Sequence, residues 1–292
     1  MDRPVMTPEQ VRAAVRYAAV MSVEDHMVEG PERSVPIRLY RQPAALPAPV
    51  LLYFHGGGWV AGDLDTHDSF CRIMCEWARC AVIAVDYARP PEHRFPAAVE
   101  DCYAVTEWAT AQSRALGLDS HRAAVAGGGS GGGLAAIVCQ IARDRCGPSI
   151  GLQMLLYPVL DCLASNHSRA EFASGPGLTA DMLNWYLTQY VSEGQSLAHP
   201  WLSPARHASL HGLPQALIIT AGRDLLRDEG RAYARRLKKA GVPVRHTEYP
   251  GMQHGFINAP GTHHSARKAI LQCAQTLIQH FASCSQPIGG TA

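Results

Sequence analysis

Short runs of uninterrupted apolar side chains recur along the chain: VLLYF at 50–54, AVIAV at 81–85, AAVAG at 123–127, LQMLLY at 152–157, ALIIT at 216–220 and the more mixed VRHTEY at 244–249. Separated by helical stretches, such runs predict strands of a parallel sheet, because a sheet covered on both faces by helices has no solvent side that calls for polar residues. Upstream the period changes to two. SVEDHMVEG and SVPIRLYR alternate about Gly30-Pro31, which predicts an antiparallel hairpin. Earlier still, Thr7 as cap, Pro8 in the first turn and Val11, Val15 and Ala18 at helical spacing predict an amphipathic helix over 7–21. The fold class expected is α/β: a mostly parallel, doubly wound sheet forming a single domain over residues 1–292.

The stretch 158–215 breaks this rhythm. Apart from one amphipathic helix in LTADMLNWYLTQYV it is loop-like and rich in Pro, Gly, Ser and His. Open α/β sheets bind ligands beyond the carboxyl ends of their strands, so this insertion is expected to cover that edge. Residues 1–25 and about 160–205 are the expected elements of a small helical cap, and Trp185 and Tyr186 are candidate substrate-binding residues within it.

Composition narrows the function. The chain has 292 residues, 47% hydrophobic and 17% charged, which fits a soluble globular protein with a sizeable core. With 26 Lys+Arg against 25 Asp+Glu the net charge is +1, so no positive field gathers nucleic acid or anionic lipid. No apolar run is long enough to cross a membrane, and the first residues lack a secretory pattern; a cytoplasmic location and no membrane partner are expected. The nine cysteines are odd in number and mostly in apolar context, as buried thiols rather than disulfides would be. Cys71, Cys75 and Cys80 lack the second pair that a zinc site needs, so no metal is expected.

Three features fall at predicted strand ends. HGGG, His55 to Gly58, follows VLLYF, and consecutive glycines can expose backbone N–H groups to a developing oxyanion. AVAGGGSGGGLAAIV is a strand entering glycines and then a helix, the context of a nucleophile elbow, with Ser130 flanked by Gly128 and Gly132 as G-x-S-x-G. A phosphate-binding glycine loop is the competing reading, but the lysine of a P-loop is missing. Asp224 and His254 each follow a later strand, and the order nucleophile, acid, histidine is that of α/β-hydrolases.

HGGGWVAGDLDTHD, DYARPPEHRFPAAVED, GLDSHRAAVAGG, LLYPVLD, TAGRDLLRDEG and YPGMQHGF, in this order, resemble the successive blocks of the hormone-sensitive-lipase-like carboxylesterases, the bacterial family IV esterases, over roughly residues 35 to 280. The resemblance implies an α/β-hydrolase fold with a small cap, no cofactor, and a small-molecule ester as partner; a homodimer is left open. It implies a serine hydrolase of short-chain or small aromatic esters working through an acyl-enzyme, with His254 as base, Asp224 orienting it, and Gly57, Gly58 and Ser130 supplying oxyanion N–H groups. An amide or formamide hydrolase using the same residues, and a non-catalytic small-ligand-binding protein on the same scaffold, are the alternatives.

One departure matters. Family members read GDSAGG, and a gapless register puts Gly129 in the serine slot and Ser130 one residue late. Either the chain lacks its nucleophile, or the glycine run lets Ser130 take over. The spacing, which fits on both sides without an insertion, favours the first.

Overall fold

Each predicted run becomes a strand in the computed structural model, which describes residues 20–43, 47–175, 177–258 and 263–284. β1 (Ser22–Glu29) and β2 (Ser34–Arg41) form the antiparallel hairpin. β3 (Ala48–Phe54), β4 (Ala81–Val85), β5 (Leu118–Gly128), β6 (Leu152–Leu156), β7 (Gln215–Arg223) and β8 (Val244–Gln253) are mutually parallel. The spatial order is β1-β2-β4-β3-β5-β6-β7-β8, with β2 running antiparallel to β4. β3, β4 and β6 are buried at every position, which is why their sequences carry no polar alternation.

The two faces are read directly from the period of two. Leu51 and Tyr53 of β3 join one core, under α1 (Asp68–Ala78) and α7 (His264–Ser283). Leu52 and Phe54 join the other, under α2 (Ala97–Ala111), α3 (Ser130–Asp144) and α6 (Arg227–Lys239). On α1 the buried residues Phe70, Ile73, Met74 and Ala78 recur at helical spacing. Burying each of the larger side chains contributes about 1.5–3 kcal/mol. α3 is buried from Ser130 through Ala142 because its first turn is glycine: a Cβ at Gly131 would collide with the Phe54 and His55 carbonyls. This close approach brings the N-terminus of α3 level with the end of β3.

The insertion carries α4 (His167–Glu171) and α5 (Ala180–Tyr190). It is tied down by Glu229 of α6, a fully buried carboxylate that accepts the Leu160 N–H at 2.7 Å and pairs with Arg169 at 2.7 Å. Burial pushes this carboxyl up to about 7, against the pull of Arg169. The helix expected over 7–21 falls, up to residue 19, outside the described residues. Residues 22–25, assigned to the cap from sequence, instead begin β1, because Val23 and its neighbours pair in register with Tyr40 on β2. All nine thiols are free; Cys146 and Cys284, just past the ends of α3 and α7, are exposed and the rest buried. Among the described residues no helix is long and apolar enough to cross a membrane, and no group of His, Cys, Asp or Glu is placed to hold a metal ion.

Candidate active site

The carboxyl ends of β3, β5, β6 and β8 converge on one cavity of about 470 Å³. Its walls include Gly56 to Gly58, Gly128 to Ser130, Tyr157 and His254, with Leu178, Leu183 and Tyr186 from the insertion above. A second cavity, about 500 Å³ and lined by Phe95, Ile141, Trp201 and His207 among others, shares none of these residues.

Asp224 and His254 meet as a hydrogen-bonded pair. Nδ1 of His254 lies 2.8 Å from Oδ2 of Asp224, which is 2% exposed, while Oδ1 accepts the Leu226 N–H at 2.9 Å. With its carboxylate held on both oxygens, Asp224 accepts a hydrogen bond from Nδ1–H of the imidazole, which leaves Nε2 facing away as the acceptor. The Tyr157 ring packs edge-on against His254, centroids 4.9 Å apart, and fixes the ring plane.

Gly129 faces that acceptor. It sits between β5 and α3 with φ 55° and ψ −117°, a conformation that L side chains rarely adopt. Its N–H donates to the Leu156 carbonyl at 2.9 Å and its carbonyl accepts the Val159 N–H at 3.0 Å, so the elbow is held from both sides. A Cβ built here would lie 3.1 Å from Nε2 of His254 and 3.5 Å from Cε1, with nothing else within 4 Å.

Ser130, the literal centre of G-x-S-x-G, points elsewhere. Its side chain is buried, and its hydroxyl accepts the Trp59 N–H at 3.2 Å. Of the two positions read as the nucleophile slot, it is therefore 129 whose Cβ direction points at the imidazole: residue 130 is the first of α3, and one residue of helix rotates its side chain away. Its backbone N–H, in a first turn without an intrahelical acceptor, remains at the cavity wall.

The HGGG loop is braced from behind. His55 is 2% exposed, stacks on Tyr87 with centroids 4.1 Å apart, and has Nδ1 2.9 Å from the Gly56 carbonyl. Nε2 faces Arg89 at 3.3 Å. A guanidinium can only donate, so the ring is neutral with its proton on Nδ1, consistent with burial pushing its pKa down to about 3. Tyr87 donates to the His55 carbonyl at 2.8 Å, and Trp59 stacks on Tyr190 of α5 at 4.9 Å. That second contact seats α5 over the loop, and Tyr186 covers Gly58 so closely that a Cβ on Gly58 would strike its ring.

Tyr186 thus lines the cavity, and Trp185 does not. Leu183, Leu187 and Tyr190 define the buried stripe of α5, and Trp185 is rotated off it to 52% exposure. His67, which the sequence reading left without a role, also lines the cavity. The Thr66 hydroxyl donates to the Asp63 carbonyl and receives the Asp63 N–H, so its contact with His67 Nδ1 at 3.0 Å must take that ring's proton. Burial lowers the pKa of His67. The only sequence hint was its place in the LDTHD block, at the entry to α1.

Residues 51–258 match the α/β hydrolase fold family. The chain is 44% identical over 244 residues to the carboxylic ester hydrolase LipN of Mycobacterium tuberculosis, covering 82% of this chain and 65% of LipN, just under two thirds of that relative. It is 40% identical over 253 residues to the esterase LipI of the same organism, covering 85% and 79%. The solved esterase of Pyrobaculum calidifontis superposes with a TM-score of 0.88 at 38% identity, over 93% of this chain and 90% of that one.

Proposed function

The chain belongs to the α/β-hydrolase family of hormone-sensitive-lipase-like carboxylesterases, and from that premise we propose that its cavity is a site for small carboxylic esters in which every part of a serine esterase except the nucleophile's side chain is in place. His254 is the acid–base residue, oriented by Asp224. The N–H groups of Gly57, Gly58 and Ser130 are the donors for the tetrahedral oxyanion, each worth roughly 3–4 kcal/mol in related hydrolases. Val159, Leu178, Leu183 and Tyr186 give the cavity an apolar wall suited to short acyl chains or a small aromatic ring. Residues of the insertion form that wall, so it acts as the cap that sets substrate choice.

The observation that carries this reading is the 3.1 Å between a Cβ at position 129 and Nε2 of His254, which itself stands 2.8 Å from Asp224. With Ser at 129, the hydroxyl would attack the ester carbonyl while His254 takes its proton and returns it to the leaving alcohol; water then releases the acid from the acyl-enzyme.

Turnover of p-nitrophenyl acetate and butyrate by this chain beside its Gly129→Ser variant tests the assignment. The variant should be faster by about 10⁴- to 10⁶-fold, the range lost when the nucleophile of a serine hydrolase is deleted. Equal rates in the two proteins would remove position 129 from the chemistry.

A further inference from the structure

We propose that in the chain with Gly129, a water molecule seated beside His254 attacks the ester carbonyl directly, so that hydrolysis is a single displacement and passes through no acyl-enzyme. The proposal rests on the ester-site reading above and adds what glycine, as opposed to any other loss of serine, permits there.

Three features of the site support it. The space at position 129 adjoins His254 and nothing else within 4 Å, whereas neighbouring Gly131 is packed against backbone carbonyls. That space opens into the cavity, which is far larger than the roughly 30 Å³ a water needs. Asp224 engages Nδ1 of His254, which leaves Nε2 as the nitrogen placed to accept a proton. The neighbouring hydroxyl, that of Ser130, is buried and engaged with the Trp59 N–H, and does not compete for the imidazole.

The step balances simply. The water oxygen forms a bond to the carbonyl carbon as Nε2 removes one of its protons, and the carbonyl oxygen becomes an oxyanion facing the N–H groups of Gly57, Gly58 and Ser130. The bond to the alcohol oxygen then breaks, and Nε2–H gives its proton to that oxygen. The products are the acid and the alcohol, and His254 is regenerated.

Alanine at 129 separates this route from mere binding. Its methyl would stand 3.1 Å from Nε2, in the place the water must take. In the parent chain, His254→Ala and Gly129→Ala should each lower kcat for p-nitrophenyl butyrate by about 10²-fold, the lower range of general-base catalysis, and the double variant should lose no more than either single one. A Gly129→Ala protein that failed to fold, judged by its melting curve, would leave the second readout intact.

That readout is product partitioning in water–methanol mixtures. A shared acyl-enzyme gives one ratio of acid to methyl ester whatever the leaving group; direct attack gives a ratio that changes between p-nitrophenyl and ethyl butyrate. We expect a changing ratio for the parent and a constant one for Gly129→Ser. A constant ratio in the parent, or a parent rate indifferent to His254→Ala, would overturn direct water attack. Failure of Gly129→Ser to gain activity would instead overturn the ester-site reading itself, so the two are told apart.

Discussion

Two glycine-rich loops bound the cavity, and they are glycine-rich for different reasons. In the HGGG loop the glycines are imposed by what surrounds them: Gly57 and Gly58 have φ of 127° and 64°, and a side chain on either would run into Ala61 or Tyr186. In the run 127–133 the glycines fall into two kinds. Gly131, like Gly58, is required by packing, since α3 lies directly on the end of β3. Gly129 is not: its Cβ would meet only the imidazole that a nucleophile there should meet. The difference teaches that at 129 the glycine answers to its own backbone conformation and not to its neighbours, so that a side chain there has room to face the imidazole.

The contrast can be attacked at four points, taken from large effects to small. In the Gly129→Ser background, Asp224→Asn should cost about 10⁴-fold in kcat, because asparagine holds the imidazole in the wrong tautomer. If Asp224 merely caps the turn through its 2.9 Å bond to the Leu226 N–H, the same change would alter kcat less than about tenfold, since asparagine caps equally well.

Stability separates the two kinds of glycine next. Gly131→Ala forces a Cβ onto backbone and should cost about 3 kcal/mol or more, or prevent folding. Gly129→Ser strains only its own φ and ψ and should cost about 1–3 kcal/mol while activity rises. Urea unfolding of both measures the gap; equal losses would erase the distinction between the loops.

The HGGG loop also carries a pH signature. His55 is charged in the unfolded chain below its ordinary value of 6.5 but not in the folded one until about pH 3. The stability it lends is therefore complete above 6.5 and is lost as pH falls from there towards 3, amounting to about 2 kcal/mol by pH 5. His55→Gln should flatten the fall of the urea midpoint between pH 7 and pH 5, and an unchanged slope would argue that the ring is not buried neutral.

The smallest effect concerns the cap. In the active variant, Tyr186→Ala should shift the relative rates on acetate, hexanoate and benzoate esters by about 1–3 kcal/mol of discrimination. Trp185→Ala, on a residue 52% exposed, should leave them alone.

The sequence exposed the scaffold because that scaffold is made of long, one-sided signals. β3, β4 and β6 are continuous apolar runs, and the hairpin keeps its period of two. Asp224 and His254 could be found because each directly follows a strand legible in the sequence. What stayed hidden was set by rotation and by contacts distant in sequence. Trp185 and Tyr186 are adjacent aromatics, yet about 100° of helix rotation puts one in the cavity and the other in solvent. Ser130 satisfies the motif on paper, and only its bond to the Trp59 N–H shows its hydroxyl facing away. His67, Tyr157 and the Glu229 tie depend on partners brought together by the fold, for which no local pattern exists.

The most direct check on position 129 is covalent labelling. A small fluorophosphonate esterase inhibitor is incubated with the parent chain and with Gly129→Ser, and intact mass and peptide mapping locate any adduct. The geometry predicts a single phosphonyl group on residue 129 of the variant, lost when His254→Ala is added, and no adduct on the parent. Labelling of the parent at Ser130 would contradict it, because that hydroxyl would then be the nucleophile after all.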